Sequence, residues 1–186
     1  MNLYITSKCP IESAKNLDDK SVLKMLLDSS QIMSTVIMKN SKEEFNLVNY
    51  TNIKDKKLKV KYYFHTLNIP SPSRKDHPCV KWSENTHSNY GWVCRYFYKL
   101  CDEYRTRYGI NHELFNLRKY FLSGSNIIKA GPLTHFVNCA GNSDLNIDYR
   151  DLNDTIKAYK LYLCDKWDLA PDTTTWYNIK NKQETK

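Results

Sequence analysis

Residues 18–38 read DDKSVLKMLLDSSQIMSTVIM, and this stretch decides the fold class. Val22, Met25, Leu26, Ile32, Met33, Val36 and Ile37 recur at helical spacing, while Lys20, Lys24 and Asp28 line another face at i, i+4 and i+8. Asp18 or Asp19 suits the cap. The spacing predicts an amphipathic helix whose apolar stripe needs a packed partner. Two further stripes supply candidates. Residues 78–108 carry Val93, Phe97, Leu100, Tyr104 and Tyr108, with Pro78 suited to a first helical turn, Gly109 to a left-handed stop and a break expected near Ser88 and Asn89. A last helix over 151–167 buries Ile156, Tyr159, Leu163 and Trp167.

Between these lie weaker elements. The opening MNLYIT reads as a short extended segment, residues 10–14 as a brief helix, and HELFNLRKYFLSG (112–124) as a short helix opened by Asn111 and ended by Gly124. Residues 39–76 are rich in Lys and Asn, with an alternating, β-like run near 57–66 and five lysines from Lys54 to Lys61. They read as a basic insertion or arm, and 178–186 as a frayed tail. The expectation is a mostly α protein over residues 1–186: a single compact helical domain with a long central helix and a small β-like hairpin or arm.

The chain has 186 residues, enough to bury one core, with 41% hydrophobic and 26% charged residues. Its apolar runs fall far short of the roughly 20 residues of a membrane span, and no signal-peptide pattern follows Met1. A soluble, unexported, cytoplasmic protein, cellular or virus-encoded, is expected, with no membrane partner. The net charge of +8 comes with 14 Tyr, 6 Phe and 4 Trp. Basic groups neutralise phosphates and rings stack on unpaired bases, so nucleic acid is the favoured partner. Only six basic residues are Arg, which favours phosphate attraction over base readout. Cysteines 9, 79, 94, 101, 139 and 164 form no CxxC pair and the five histidines no HxxxH pair. Reduced thiols and no metal or cofactor are therefore expected.

No Walker loop, GxSxG elbow or Rossmann fingerprint occurs, and GSNIIKAG (124–131) lacks the GK[ST] ending of a phosphate loop. Four constellations remain: the ladder of Lys20, Lys24 and Asp28; HPCVKW with His77, Lys81 and Trp82; Glu103 and Arg107 one helical turn apart; and the pair Trp176 and Tyr177. Each has a bland reading as a solvated face, an ordinary ion pair or aromatic packing.

In this order, however, the constellations resemble the pyrimidine-dimer DNA glycosylase, or endonuclease V-like, family of short phage and bacterial proteins. DKSVLKMLLD (19–28) is similar to the family's D-[KQ]-H-x-x-x-x-x-x-E helix. His77, Pro78 and Trp82 match its HP[CE]xxW start, and Glu103, Arg107, Tyr108, Gly109 and His112 its E-x-x-x-R–aromatic–Gly…His run. Trp176 and Tyr177 are similar to its C-terminal Trp-Tyr pair. The resemblance implies a neutral amine that attacks the sugar C1′, expels the base and forms a Schiff base, after which β-elimination nicks the strand. An α-amine suits this role because such groups titrate at about 7.7–8.0, against about 10.4 for lysine side chains. The carboxylate of the first helix stabilises the oxocarbenium-like charge.

Carried onto this chain, the resemblance makes Met1 and Asp28 catalytic, with Lys20 or Lys24 as the alternative amine. It implies substrate contacts from Lys20, Lys24, His77, Lys81, Trp82, Asn89, Glu103, Arg107, Trp176 and Tyr177. The implied partner is double-stranded DNA with a damaged or modified base, which must be extruded. Asp28 stands where the family has Glu, Ser21 where it has His, and Leu27 and Gln31 where arginines flank its carboxylate. Asn2 is bulky, which favours retention of Met1. A non-catalytic DNA-binding module on the same scaffold, and an enzyme acting on a modified nucleobase or nucleotide, remain open alternatives. The sequence sets no oligomeric state.

Overall fold

The computed structural model describes residues 1–40 and 74–176. The Lys54–Lys61 run, the β-like stretch 57–66, Tyr177 and the tail lie outside the described residues. Among the described residues, six α-helices form the framework: α1 (Pro10–Lys15), α2 (Asp19–Asn40), α3 (Pro78–Asn85), α4 (His87–Tyr108), α5 (Arg118–Ser123) and α6 (Thr155–Asp168). The mostly α expectation holds. A two-residue antiparallel pair, β1 (Gly141–Asn142) with β2 (Ile147–Asp148), is the sheet among the described residues. No helix among them is long and apolar enough to cross a membrane.

The long helices α2 and α4 pack against each other, and α1 and α3 also pack on α4. The predicted stripe of α2 is buried in full: Val22, Met25, Leu26, Ile32, Met33, Val36 and Ile37 all enter the core. So do Ser29, Ser30, Ser34 and Thr35, whose hydroxyls donate back to carbonyls three or four residues earlier. This satisfies the hydroxyls inside the helix and lets its small faces approach neighbours closely. Asp18 is the cap, its Oδ2 accepting from the Ser21 N–H at 3.3 Å. From α4 come Tyr90, Trp92, Tyr96, Phe97 and Leu100, with Phe121 of α5 edge-on to Phe97.

Three boundaries differ from expectation. The 78–108 run breaks at Thr86, which is extended (φ −143°, ψ 155°) and accepts the Asn89 N–H on its hydroxyl. A new helix thus starts at His87, one residue before the expected break. The helix after Asn111 begins as a 3-10 turn, Glu113–Leu117, capped by His112 Nδ1, before α5. The last helix starts at Thr155, because the Asp154 carboxylate accepts the N–H groups of both Ile156 and Lys157 at 3.0 Å. Gly109 is left-handed (φ 72°) and ends α4 as predicted.

Residues 1–6 belong to no helix or strand and thread into the core: Leu3, Tyr4 and Ile5 are fully buried. Tyr96 donates to the Tyr4 carbonyl at 3.3 Å, and the Trp92 indole donates to Lys8 O at 2.8 Å. At the other end, the Asp19 N–H donates to Thr175 O at 3.0 Å, which brings residues 174–176 to the start of α2. The fold therefore gathers residues 1–6 and 174–176 around the first half of α2.

Candidate active site at the chain start

Burial of Leu3, Tyr4 and Ile5 lays residues 1 and 2 across the charged face of α2. Asp28, only 7% exposed, is the hub. Its Oδ2 accepts the Asn2 N–H at 2.9 Å and Lys24 Nζ at 2.9 Å, and the Met1 α-amine stands 4.0 Å away. Met1 and Asp28 come together although 26 residues lie between them in the chain. The Lys24 side chain is nearly half exposed, so its ammonium reaches solvent while it pairs with the carboxylate. Tyr4 and Tyr96 are buried near enough to feel Asp28: burial pushes both phenols up, and the Asp28 charge adds to the effect.

His77 belongs to the same neighbourhood. Burial lowers its affinity for a proton, and the Met1 ammonium and Arg74 lower it further, against a smaller opposing pull from Asp28. Its Nδ1 accepts the Cys79 N–H at 3.2 Å, so it also caps α3. Lys20 lies one turn before Lys24 on the solvent side of α2.

The other expected substrate residues are placed differently. Lys81 is at the surface, paired with Asp76 at 3.2 Å. Trp82 is buried against Trp92 and Phe136, and its indole donates to His135 O at 2.8 Å. Asn89 is fully buried; its amide donates to Trp82 O and Thr134 Oγ1 at 2.8 Å each and accepts the Thr134 N–H at 2.9 Å, pinning the GPLTHF loop to α4. Glu103 and Arg107 are each 5% exposed. Arg107 donates to Glu103 Oε2 at 3.1 Å, Asp19 Oδ1 at 3.0 Å and Leu17 O at 2.8 Å, and Lys99 bridges to Glu103 Oε1 at 2.9 Å. Their polar atoms thus hold the start of α2 onto α4. Trp176 packs edge-on against Trp167 with centroids 4.7 Å apart, and the Trp167 indole donates to Asp18 Oδ1 at 2.8 Å.

A family model described as pyrimidine dimer DNA glycosylase matches residues 1–116. The chain belongs to the pyrimidine dimer DNA glycosylase family. No curated protein and no solved structure matches it. The family segment holds Met1, Asp28, Lys20, Lys24 and His77, and it ends before α5.

Part of the site comes from outside that family segment, and sequence reasoning did not foresee it. Tyr159 of α6 donates to Asn2 Oδ1 at 2.6 Å, and Asn2 Nδ2 donates to Cys139 O at 3.1 Å. Lys166 Nζ donates to Ser21 Oγ at 2.9 Å and lies 5.5 Å over the Tyr4 ring. Burial lowers the proton affinity of Lys166 and the charges of Lys24 and Lys20 lower it further, while Asp18 raises it. Cys79 and Cys139 put their sulfurs 3.8 Å apart beside the chain start. The one advance signal was the placement of Tyr159, Tyr162 and Lys166 at i, i+3 and i+7, which puts them on one face of α6. Among the described residues no group of three His, Cys, Asp or Glu side chains could hold a metal ion.

Proposed function

We propose that the protein is a DNA glycosylase with β-elimination lyase activity on damaged or modified pyrimidines in double-stranded DNA, with the Met1 amine as nucleophile and Asp28 as its carboxylate partner. The observation that carries this reading is the Met1 amine 4.0 Å from Oδ2 of a buried Asp28. Family membership supports the glycosylase chemistry. The lyase step rests on the amine itself, because a glycosylase that uses an amine instead of water leaves an imine on the sugar.

The neutral amine forms a bond to C1′ of the damaged nucleotide as the C1′–N bond to the base breaks, and the base departs with a proton. The C1′–O4′ bond then opens to give the protonated imine. Removal of a C2′ proton allows the C3′–O bond to break, and the phosphate leaves with that electron pair. Asp28 faces the charge that builds at C1′ in the first step and can accept a proton in the later ones. Asp28 is buried beside the α-amine, and that burial strengthens the attraction between them. Lys20 and Lys24 stand at the outer edge, placed to meet backbone phosphates.

The test is cleavage of an end-labelled duplex with one cyclobutane pyrimidine dimer, beside duplexes with an abasic site or no lesion. The expected products carry a 5′-phosphate on one side and a 3′ α,β-unsaturated aldehyde on the other, from the first two duplexes only. Glycosidic cleavage that yields strand breaks only after hot alkali would remove the lyase assignment. Inertness on all lesion duplexes, with binding intact, would favour the non-catalytic DNA-binding alternative.

A further inference from the structure

The geometry points to Tyr159 and Asn2 as a positioning clamp: α6, beyond the family-matched segment, fixes where the chain-start amine stands relative to Asp28. The kinetic consequence rests on the proposed amine nucleophile; the clamp itself does not.

A terminal residue is tethered on one side only and frays unless something holds it. Here the holding is done through residue 2. Asn2 uses every polar group apart from its carbonyl: N–H to Asp28 Oδ2 at 2.9 Å, Nδ2 to Cys139 O at 3.1 Å, and Oδ1 from the Leu3 N–H at 2.8 Å and the Tyr159 hydroxyl at 2.6 Å. The Tyr159 oxygen in turn accepts the Cys139 N–H at 3.3 Å. The network is buried at Tyr159, and burial pushes that phenol up, so it keeps the proton it donates. Because the Met1–Asn2 peptide is planar, fixing the Asn2 N–H on Asp28 fixes the plane to which Met1 is attached. Rotation about the Met1 Cα–C bond is then the main freedom left to the amine, and the Met1 side chain packing on the core restricts it. Tyr159 touches no reacting atom in this arrangement. It acts through Asn2.

The test uses Tyr159→Phe, which removes one oxygen, and Asn2→Leu, which keeps the size and remains too bulky to promote removal of Met1. The first readout needs no DNA. 2-Pyridinecarboxaldehyde condenses with an α-amine and then closes onto the amide nitrogen of residue 2, the atom that Asp28 holds. Both variants should label at least about tenfold faster than wild type at 25 °C. Equal labelling rates in folded protein, checked by melting, would overturn the clamp. The second readout is single-turnover borohydride trapping on an abasic duplex. A misplacement of about 1 Å can cost about 10²-fold, so both variants should trap about 10- to 100-fold slower with Kd for the duplex unchanged. Unchanged trapping rates in the presence of trapping-competent wild type would also overturn it. If labelling accelerates as expected while wild type itself forms no adduct, the clamp stands and the amine-nucleophile reading fails.

Discussion

Replacing Asp28 with Asn removes one charge and almost no volume, so it isolates the electrostatic part of the site. Two unit charges 4.0 Å apart attract by about 4 kcal/mol at an effective dielectric near 20. On the proposed mechanism, cationic character at C1′ develops next to the attacking amine and feels a field of that order. At about 1.4 kcal/mol per decade, Asp28→Asn should slow base release by about 10³-fold. Folding should change little: the Asn oxygen still accepts the Asn2 N–H, and Lys24, nearly half exposed, returns to water at a cost of about 0–1 kcal/mol. Asp28→Glu should retain activity, since it restores the reach of the family's carboxylate. The assay is single-turnover glycosidic-bond cleavage in a dimer duplex, read as strand breaks after hot alkali, with melting measured in parallel. A loss of less than about tenfold in a fully folded Asn variant would refute the electrostatic role.

Arg107→Met should destabilise the protein by about 3–5 kcal/mol, because it removes the buried guanidinium that joins Glu103 of α4 to Asp19 of α2; a urea midpoint that barely moves would contradict this. Glu103 adds a pH dependence. Burial alone would raise its carboxyl, but Lys99 and Arg107 outweigh burial and hold it below the ordinary 4.5. With the folded value below the unfolded one, the stabilisation is present above pH 4.5 and is lost as pH falls through the folded value. Wild type should therefore lose more stability than Glu103→Gln on acidification below that point, and parallel acid-denaturation curves would contradict the assignment. Lys20→Gln should reduce the slope of log Kd against log salt by about 1 if Lys20 meets a phosphate, and an unchanged slope would remove it from the interface.

The helical framework was legible because it is written locally. The stripe from Val22 to Ile37, the αL stop at Gly109 and the face of Phe97 and Leu100 are all read from neighbours three or four apart. Boundaries were less legible where a single side chain decides them: Thr86 capping Asn89 and Asp154 capping Lys157 set helix starts that periodicity alone puts elsewhere. Met1 and Asp28 were named from the family resemblance, and the structure brings them within 4.0 Å. The clamp was illegible for a physical reason. Asn2 meets Cys139 and Tyr159 across 137 and 157 residues of sequence, and a contact of that separation leaves no periodic trace. Asn89 and Trp82 show the converse. Their residue types suit a substrate surface, yet their polar atoms bond internally and hold the loop 131–136 in place.

The most direct measurement is the identity of the residue that becomes covalently attached to DNA. Wild-type protein is incubated with an abasic duplex and sodium borohydride, the adduct is digested, and the sugar-bearing peptide is sequenced by mass spectrometry. The account predicts a single adduct on the α-nitrogen of Met1, abolished by prior acetylation of that amine while DNA binding persists. An adduct on Lys20, Lys24 or Lys166, or one that survives a blocked α-amine, would contradict it.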